Sequence, residues 1–218
     1  MTTFTTTRRR LLQTAACGVA IAAFPGLLAP AFAQQAQSVS KDALLKAGPL
    51  PDIWMGSKDA AVTIVEYAST TCSHCAAFHN GTFKELKAKY IDTGKVRFVL
   101  REFPLNPVDM AAYMLARCSD DKRDAVVSLL FSQQSAWANE KPLAGLSQLL
   151  RQTGMSQERF ESCLKDKALY DKLGEARDLA TKEFNVNSTP TFFINGTRLV
   201  GNASLAEFEK LILPGLRT

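Results

Sequence analysis

Residues 62–75 read VTIVEYASTTCSHC, an apolar β-branched run followed by two cysteines three residues apart. The run at 62–67 lacks the alternation of a half-exposed strand and predicts a strand covered on both faces. Residues 74–90 then have the pattern of a helix, so Cys72 and Cys75 stand at a helix N-terminus. Free backbone N–H groups and the positive end of the helix dipole stabilise a thiolate there. The stretch therefore predicts a centre for thiol–disulfide exchange, because a thiolate is the group that attacks a disulfide.

The segments that follow predict a mixed α/β fold. An apolar run at 96–103 predicts a second strand, and strand, crossover helix and strand form a βαβ unit whose strands are parallel. From 107 to 184 apolar residues recur at every third or fourth position, which predicts four or five helices packed through these apolar faces. Breaks between the helices are expected near residues 118–120, 139–142, 154 and 166.

The C-terminal part predicts a hairpin and a last helix. Residues 191–194 and 197–200 read as strands, and the Asn-Gly pair at 195–196 is the preferred sequence of a two-residue type I′ turn. A capping-box sequence at 204–207 opens the helix, which the Pro-Gly pair at 214–215 is expected to stop. The predicted order of elements is therefore βαβ, a helical block, and ββα.

Residues 1–33 predict an export signal that is removed. Three arginines at 8–10 precede two leucines, an apolar stretch follows to Ala29, and residues 31–33 supply a small-x-small cleavage site after Ala33. An uncleaved membrane anchor is the alternative, but the apolar stretch is shorter than the roughly 20 residues that a span needs. The arginines are typical of a twin-arginine signal, although signals of the general secretory route can also open with arginines.

Charge argues against nucleic-acid binding. The chain has a formal net charge of +5, and removal of the signal takes three arginines and no acid with it, which leaves +2. This charge is small, and no basic stripe with interleaved aromatic residues accompanies it.

The cysteines fit an oxidising compartment. Four of them remain after cleavage and allow three pairings. The three-residue spacing favours Cys72 with Cys75, which leaves Cys118 and Cys163. These two either form a second, structural disulfide or remain free thiols.

The order of elements resembles a known fold. A Cys-x-x-Cys after the first strand and a Thr-Pro before the hairpin are arranged as in the thioredoxin fold. The helical block between the halves is similar to that of the DsbA-like family of periplasmic thiol–disulfide oxidoreductases. The resemblance covers residues 53–213 and is carried by VEYASTTCSHC at 65–75, FPL at 103–105 and STPTFFING at 188–196. It implies a leader at 34–56, a thioredoxin-like domain at 57–106 and 185–218, and a helical insertion at 107–184.

The resemblance also implies roles for single residues. Cys72 is expected to be the exposed nucleophile and Cys75 the buried resolving thiol. Glu66, six residues before Cys72, stands where this fold carries a buried acid that helps proton transfer at the inner cysteine. Pro190 is expected to be a cis-proline that faces the pair, and Thr189 to offer its backbone to a bound peptide strand.

Between the cysteines stand Ser73 and His74. We expect the His74 imidazole to lie close to the Cys72 sulfur and to stabilise its thiolate. Ser73 departs from the proline that is frequent in the family, and Thr189 departs from the valine common in its strong oxidants.

The resemblance implies an oxidase that introduces disulfides into reduced, cysteine-containing exported proteins in the periplasm, without a cofactor. It also implies a quinone-linked membrane partner that reoxidises the enzyme. Too few residues lie between Gln34 and the first strand for the dimerisation domain that isomerases carry, which favours a monomer. An isomerase or a reductase remains the alternative within redox chemistry.

A rival function of another class is periplasmic copper handling. The two histidines of the chain, His74 and His79, lie beside the cysteine pair and complete a set of soft ligands within eight residues. We expect no metal site, because structural sites draw ligands from two separated segments. For His79 we favour packing or capping within the helix over catalysis. A binding module without turnover is a third hypothesis.

Overall fold

A five-stranded mixed sheet organises the chain. The computed structural model describes residues 38–217, and the predicted export signal at 1–33 lies outside them. The strands are β1 (Trp54–Met55), β2 (Val62–Ala68), β3 (Val96–Glu102), β4 (Thr191–Ile194) and β5 (Thr197–Val200), in the sheet order β1-β3-β2-β4-β5. β2 and β3 are parallel, and the other neighbouring pairs are antiparallel.

Helices cover both faces of this sheet and form the segment between its halves. They are α1 (Lys41–Leu45), α2 (Ser73–Asn80), α3 (Thr82–Leu86), α4 (Pro107–Arg117), α5 (Arg123–Ser132), α6 (Gln134–Trp137), α7 (Pro142–Arg151), α8 (Gln157–Leu164), α9 (Lys167–Phe184) and α10 (Leu205–Gly215). A π-helical turn at 87–91 follows α3, and a 3-10 turn at 120–122 precedes α5. The predicted α/β class and the parallel βαβ unit are confirmed.

The central strand β2 is buried along its whole length. Successive side chains of a strand point to opposite faces, so Ile64 packs in one buried cluster while Val65 and Tyr67 pack in a second. Covering on both faces explains why the sequence of β2 shows no polar alternation. Glu66 lies two residues after Ile64 and therefore points to the same face, which α2 covers.

The helix predicted at 74–90 is interrupted. Its first part, α2, ends at Gly81, whose φ of −116° and ψ of −100° lie outside the helical region. The chain then continues as α3 and the π-helical turn. Glycine is a poor helix former because it loses the most backbone freedom on ordering, and here it marks the bend.

The segment predicted as a leader contributes to the fold in its described part. β1 adds to the sheet edge, where Trp54 is opposite Val99, and the Arg97 guanidinium lies 4.7 Å from the Trp54 ring centre. Leu44 of α1 is buried in the same cluster as Val65. A two-residue strand is too short to give a periodic signal, so the sequence did not reveal it.

The predicted hairpin is confirmed. Asn195 and Gly196 both have positive φ, 47° and 90°, as a two-residue type I′ turn requires. A side chain at Gly196 would collide with the Val39 carbonyl oxygen, so the position also needs glycine for space. The capping box that opens α10 is present, and the helix ends at Gly215, within the Pro-Gly pair predicted to stop it.

Six helices, α4 to α9, make up the segment between the two halves of the sheet. They break at the predicted places and at Gln133, between α5 and α6. Trp137 is fully buried, and its indole N–H donates to the Leu130 carbonyl at 2.9 Å. Within 38–217, no helix combines the length and the apolar character that a membrane crossing needs.

Candidate active site

The cysteine pair stands where β2 leads into α2. Cys72 is the N-cap residue of α2, and its sulfur accepts a hydrogen bond from the Cys75 backbone N–H at 3.4 Å. Cys72 is half-buried and Cys75 is fully buried, and both are free thiols in this structure. The pair thus presents one accessible sulfur and one inaccessible sulfur at a helix N-terminus.

The two thiols have opposite pKa shifts. The pKa of Cys72 is lowered to about 5, chiefly by the hydrogen bond with the Cys75 thiol. Partial burial opposes this, while the Thr189 side chain and the backbone N–H groups of Cys75 and His74 add to it. The pKa of Cys75 is raised, first by burial and then by the Cys72 hydrogen bond and the negative charge of Glu66. At neutral pH Cys72 is therefore a thiolate and Cys75 a thiol.

The segment at 188–191 faces this pair from the other half of the sheet. The Thr189 carbonyl oxygen lies 3.3 Å from the Cys72 sulfur, although 117 residues separate them in sequence. The bond between Thr189 and Pro190 is cis. The structure thus brings Thr189 to the nucleophile and gives Pro190 the predicted cis bond.

Glu66 is fully buried on β2, and its charge is one cause of the raised pKa of Cys75. Its Oε2 is 2.9 Å from Nε2 of His79, on α2. Its Oε1 has no hydrogen-bond partner among the described residues. A solvated Glu66 is excluded, and a carboxylate with one unsatisfied oxygen at this depth is costly.

His79 is packed as predicted, but its contact with Glu66 is new. The imidazole stacks on Phe131 with ring centres 4.2 Å apart and planes 12° apart, and it also contacts Phe83 at 4.8 Å. The two members of the Glu66–His79 pair are separated by a loop and a helix start. Their meeting depends on the rotation of α2 over β2, which local sequence patterns do not report.

His74, by contrast, has no side-chain hydrogen bond to the pair. Its side chain is exposed and takes part in no hydrogen bond or ion pair of residues 38–217. Its contribution to the Cys72 thiolate comes through its backbone N–H. Within the described residues, no hydrogen bond joins the imidazole to the Cys72 sulfur, and the role of the imidazole stays a prediction.

Two residues of the helical segment hold the loop before Cys72, and sequence reasoning missed both. Asp109, buried in α4, accepts hydrogen bonds from the Thr70 backbone N–H at 2.7 Å, from the Thr70 hydroxyl, and from the Leu105 N–H at 2.9 Å. Gln134 of α6 donates to the Thr70 carbonyl at 2.7 Å and the Cys72 carbonyl at 3.1 Å. Each is a single polar residue in a helix, so no motif signals it.

Cys118 and Cys163 form a disulfide, with Cα atoms 6.1 Å apart. It joins the end of α4 to the last turn of α8, and Cys163 is buried there. The predicted structural pair thus lies within the helical segment.

The geometry does not favour a metal site. Across the part of the chain that the structure describes, no three His, Cys, Asp or Glu side chains are grouped so that they could hold an ion. His79 is bound to Glu66 on the inside of α2, and His74 is exposed on the outside. The four soft ligands considered for copper therefore do not converge.

The sequence matches the thioredoxin family across residues 50–213. A protein of Rickettsia bellii that carries the name protein-disulfide oxidoreductase is 36% identical over 150 residues, and one of the same name from Rickettsia felis is 38% identical over 162 residues. These matches cover 67% and 71% of this chain, but 58% and 56% of the relatives. The chain therefore spans little more than half the length of the curated relatives it matches.

Solved structures share its architecture. The crystal structure of alpha-DsbA1 from Wolbachia pipientis has a TM-score of 0.74 and 31% identity, and the match covers 82% of this chain and 96% of that one. The oxidised BdbD of Bacillus subtilis has a TM-score of 0.67 at 22% identity, covering 77% of this chain and 94% of that one. The latter match shows the fold alone.

Proposed function

The chain belongs to the thioredoxin family, among its DsbA-like thiol–disulfide oxidoreductases, and on this premise we propose that it introduces disulfides into exported proteins. Cys72 is the nucleophile, Cys75 the resolving thiol, and Glu66 the acid that serves Cys75. Thr189 and Pro190 form the surface that a substrate peptide contacts.

One observation carries this proposal: the half-buried Cys72 sulfur caps the N-terminus of α2 and accepts a hydrogen bond from the Cys75 N–H, in a setting that lowers the pKa of Cys72 to about 5. A group that stabilises the thiolate stabilises the reduced enzyme, because the thiolate exists only after reduction. The oxidised form then gains more free energy from accepting electrons and is the stronger oxidant. The same logic underlies the low-pKa, strongly oxidising pair of DsbA, which is a known example of this principle.

The cycle starts with the Cys72–Cys75 disulfide. A substrate thiolate attacks the Cys72 sulfur, forms a mixed disulfide, and releases Cys75 as a thiolate that takes up a proton. A second substrate thiolate then attacks the substrate sulfur of this mixed disulfide. The substrate leaves with a new disulfide, and Cys72 leaves as a thiolate, so two electrons have moved to the enzyme. A disulfide-bearing partner takes the two electrons back.

The setting of this reaction follows from the same proposal. Export through the signal at 1–33, with cleavage after Ala33, delivers the protein to the periplasm, where its substrates are reduced cysteine-containing exported proteins. A quinone-linked membrane oxidase is the partner that regenerates the disulfide. The protein acts as a monomer. It needs no cofactor, because the Cys72–Cys75 pair itself takes up both electrons.

Oxidation of a reduced, unfolded test protein would check the proposal. With stoichiometric oxidised enzyme, we expect the substrate to lose thiols and the enzyme to gain two per turnover. Cys72→Ala and Cys75→Ala should both abolish turnover, while the matched Cys118→Ala/Cys163→Ala double variant should retain it. Acceleration of disulfide rearrangement without net oxidation would instead indicate an isomerase and contradict the proposal.

Export can be tested on the full chain in a bacterial host. The secreted product should begin at Gln34, and replacement of the arginines at 8–10 by lysine should distinguish the routes. Retention in the cytoplasm would mark twin-arginine export, and unchanged export would mark the general route. A product that keeps residues 1–33 would contradict cleavage.

A further inference from the structure

The buried thiol Cys75 must exchange a proton in each half of the proposed cycle. It leaves the enzyme disulfide as a thiolate that has to be protonated, and it must lose that proton before the pair can be reoxidised. Yet its exposed fraction is 0%. A proton cannot reach it directly from water, so the chain has to supply a route.

The Glu66–His79 pair lies in the right place for such a route. The Glu66 charge raises the pKa of Cys75, which shows that the carboxylate and the thiol interact. One carboxylate oxygen, Oε1, is buried without a hydrogen-bond partner among the described residues. The other, Oε2, is 2.9 Å from Nε2 of His79. Glu66 therefore offers a free oxygen in addition to the one that His79 binds.

The side chains of Glu66 and His79 differ in their access to solvent. The side chain of Glu66 is 0% exposed, whereas that of His79 keeps 5% of its surface exposed. Of the two, the imidazole is thus the member that reaches water. Imidazole also carries two ring nitrogens, so it can bind the carboxylate with one and exchange a proton with water through the other.

Among the described residues, Glu66 is the charged side chain in contact with His79. β2 presents Glu66, and its own helix α2 presents Cys75 one turn earlier. α5 presents the Phe131 ring and α3 presents the Phe83 ring, both apolar. The stacked ring on Phe131 fixes the imidazole plane. No other acid or base of 38–217 is in hydrogen-bond or ion-pair contact with it.

We propose that His79 is a positioning residue that links Glu66 to solvent and carries the proton of Cys75 in and out. This deepens the proposed function, on which it rests. When substrate attack releases the Cys75 thiolate, His79 passes a proton to the Glu66 carboxylate, Glu66 passes it on to the thiolate, and water replaces the proton on His79. Reoxidation runs the same transfers backwards. One proton enters from water for each Cys75 thiolate formed, so charge and atoms balance.

A reaction with two kinetic phases reports on Cys72 and Cys75 separately. When the reduced protein reacts with dithiobis-nitrobenzoate, the Cys72 thiolate attacks first, joins one thionitrobenzoate and releases the other. Cys75 then loses its proton and attacks the Cys72 sulfur, which releases the second thionitrobenzoate and closes the enzyme disulfide. Each release is visible by absorbance, so stopped flow reports Cys72 and Cys75 separately on the same sample.

His79→Gln should slow the second phase about tenfold or more and leave the first unchanged, because glutamine can hold the carboxylate but cannot carry the proton. Glu66→Gln should slow the same phase. His79→Phe, which keeps the ring packing, should behave like His79→Gln. The dependence of the native second phase on pH should flatten in His79→Gln, because glutamine has no proton to exchange at this position.

Equal slowing of both phases, or an unchanged second phase and pH profile in His79→Gln, would overturn the inference. The unaltered protein gives a further readout that needs no variant to fold. Its second phase should be slower in heavy water than in light water, and equal rates would contradict a proton-limited step. The reaction with dithiobis-nitrobenzoate needs only a reduced Cys72–Cys75 pair, so it does not depend on the proposed oxidase function. Failure of that function would appear instead as a lack of net oxidation of the reduced test protein.

Discussion

The two cysteine pairs of this chain differ in their position on helices. Cys72 is the N-cap of α2, whereas Cys118 is the C-cap of α4 and Cys163 stands in the last turn of α8. A helix N-terminus stabilises a thiolate by its free N–H groups and dipole, while a C-terminus, with its free carbonyls, destabilises one. Chain spacing adds to this, since the first pair is three positions apart in the sequence and the second is 45 positions apart. We infer that the end of the helix at which a cysteine stands decides whether its pair takes part in thiol–disulfide exchange or remains a structural disulfide.

The largest effect should come from the reactive pair itself. Cys75→Ala removes the resolving thiol but leaves the Cys72 thiolate, so we expect oxidation of reduced substrate to be lost. With a disulfide-bearing substrate, its Cys72 thiolate should attack one substrate sulfur and displace the other as a thiolate, and the resulting mixed disulfides should accumulate because no Cys75 resolves them. Cys72→Ala should lose turnover without accumulating them. Non-reducing electrophoresis after quenching with acid would separate the two outcomes. Mixed disulfides in Cys72→Ala would show that Cys75, and not Cys72, is accessible.

The second pair should matter for stability instead. A disulfide that closes 45 residues of chain restricts the unfolded state, and Cys118→Ala/Cys163→Ala should lower the free energy of unfolding by about 4 kcal/mol. Denaturant unfolding of the double variant would measure this. The rate of substrate oxidation should stay within about twofold. A large loss of activity in a fully folded variant would contradict the separation of roles.

A smaller effect should follow from loosening the contact between the helical segment and the active-site loop. Gln134→Ala removes the donor to the Thr70 and Cys72 carbonyls, and we expect a loss of about 2 kcal/mol in unfolding free energy. Gln133→Ala is the matched control, because the Gln133 side chain makes no capping hydrogen bond. Equal losses in the two variants would assign no special role to Gln134.

Sequence patterns predicted the elements of this fold better than the contacts within its site. The β-branched run of β2 and the Asn-Gly turn at 195–196 are local signals, and both gave the right element. Asp109 and Gln134 reach the loop from distant helices, and the meeting of Glu66 with His79 depends on how α2 rotates on the sheet. Such contacts are set by tertiary packing, which a single sequence does not encode in a readable pattern. His74 is the opposite case: it stands between the two cysteines in the sequence, yet its side chain is exposed to solvent.

The smallest expected effect is a pH dependence of stability. The pKa of Cys72 is depressed to about 5 in the folded protein from an ordinary value of 9.0. Its ionisation therefore stabilises the reduced form fully above the ordinary value, and this stabilisation is lost as pH falls towards 5. The difference in Tm between the reduced and oxidised forms should accordingly move in favour of the reduced form as pH rises from 5 to 9. Because Cys72 is half-exposed, we expect a shift of only a few degrees. A pH-independent difference would contradict the lowered pKa.

The reduction potential of the Cys72–Cys75 pair tests the central claim most directly. It is measured by equilibrium with glutathione at neutral pH, with the Cys118–Cys163 disulfide left intact. A stabilised Cys72 thiolate predicts a potential well above that of the glutathione couple, as expected of an enzyme that donates disulfides. A potential well below that couple would contradict the account and make the protein a reductase.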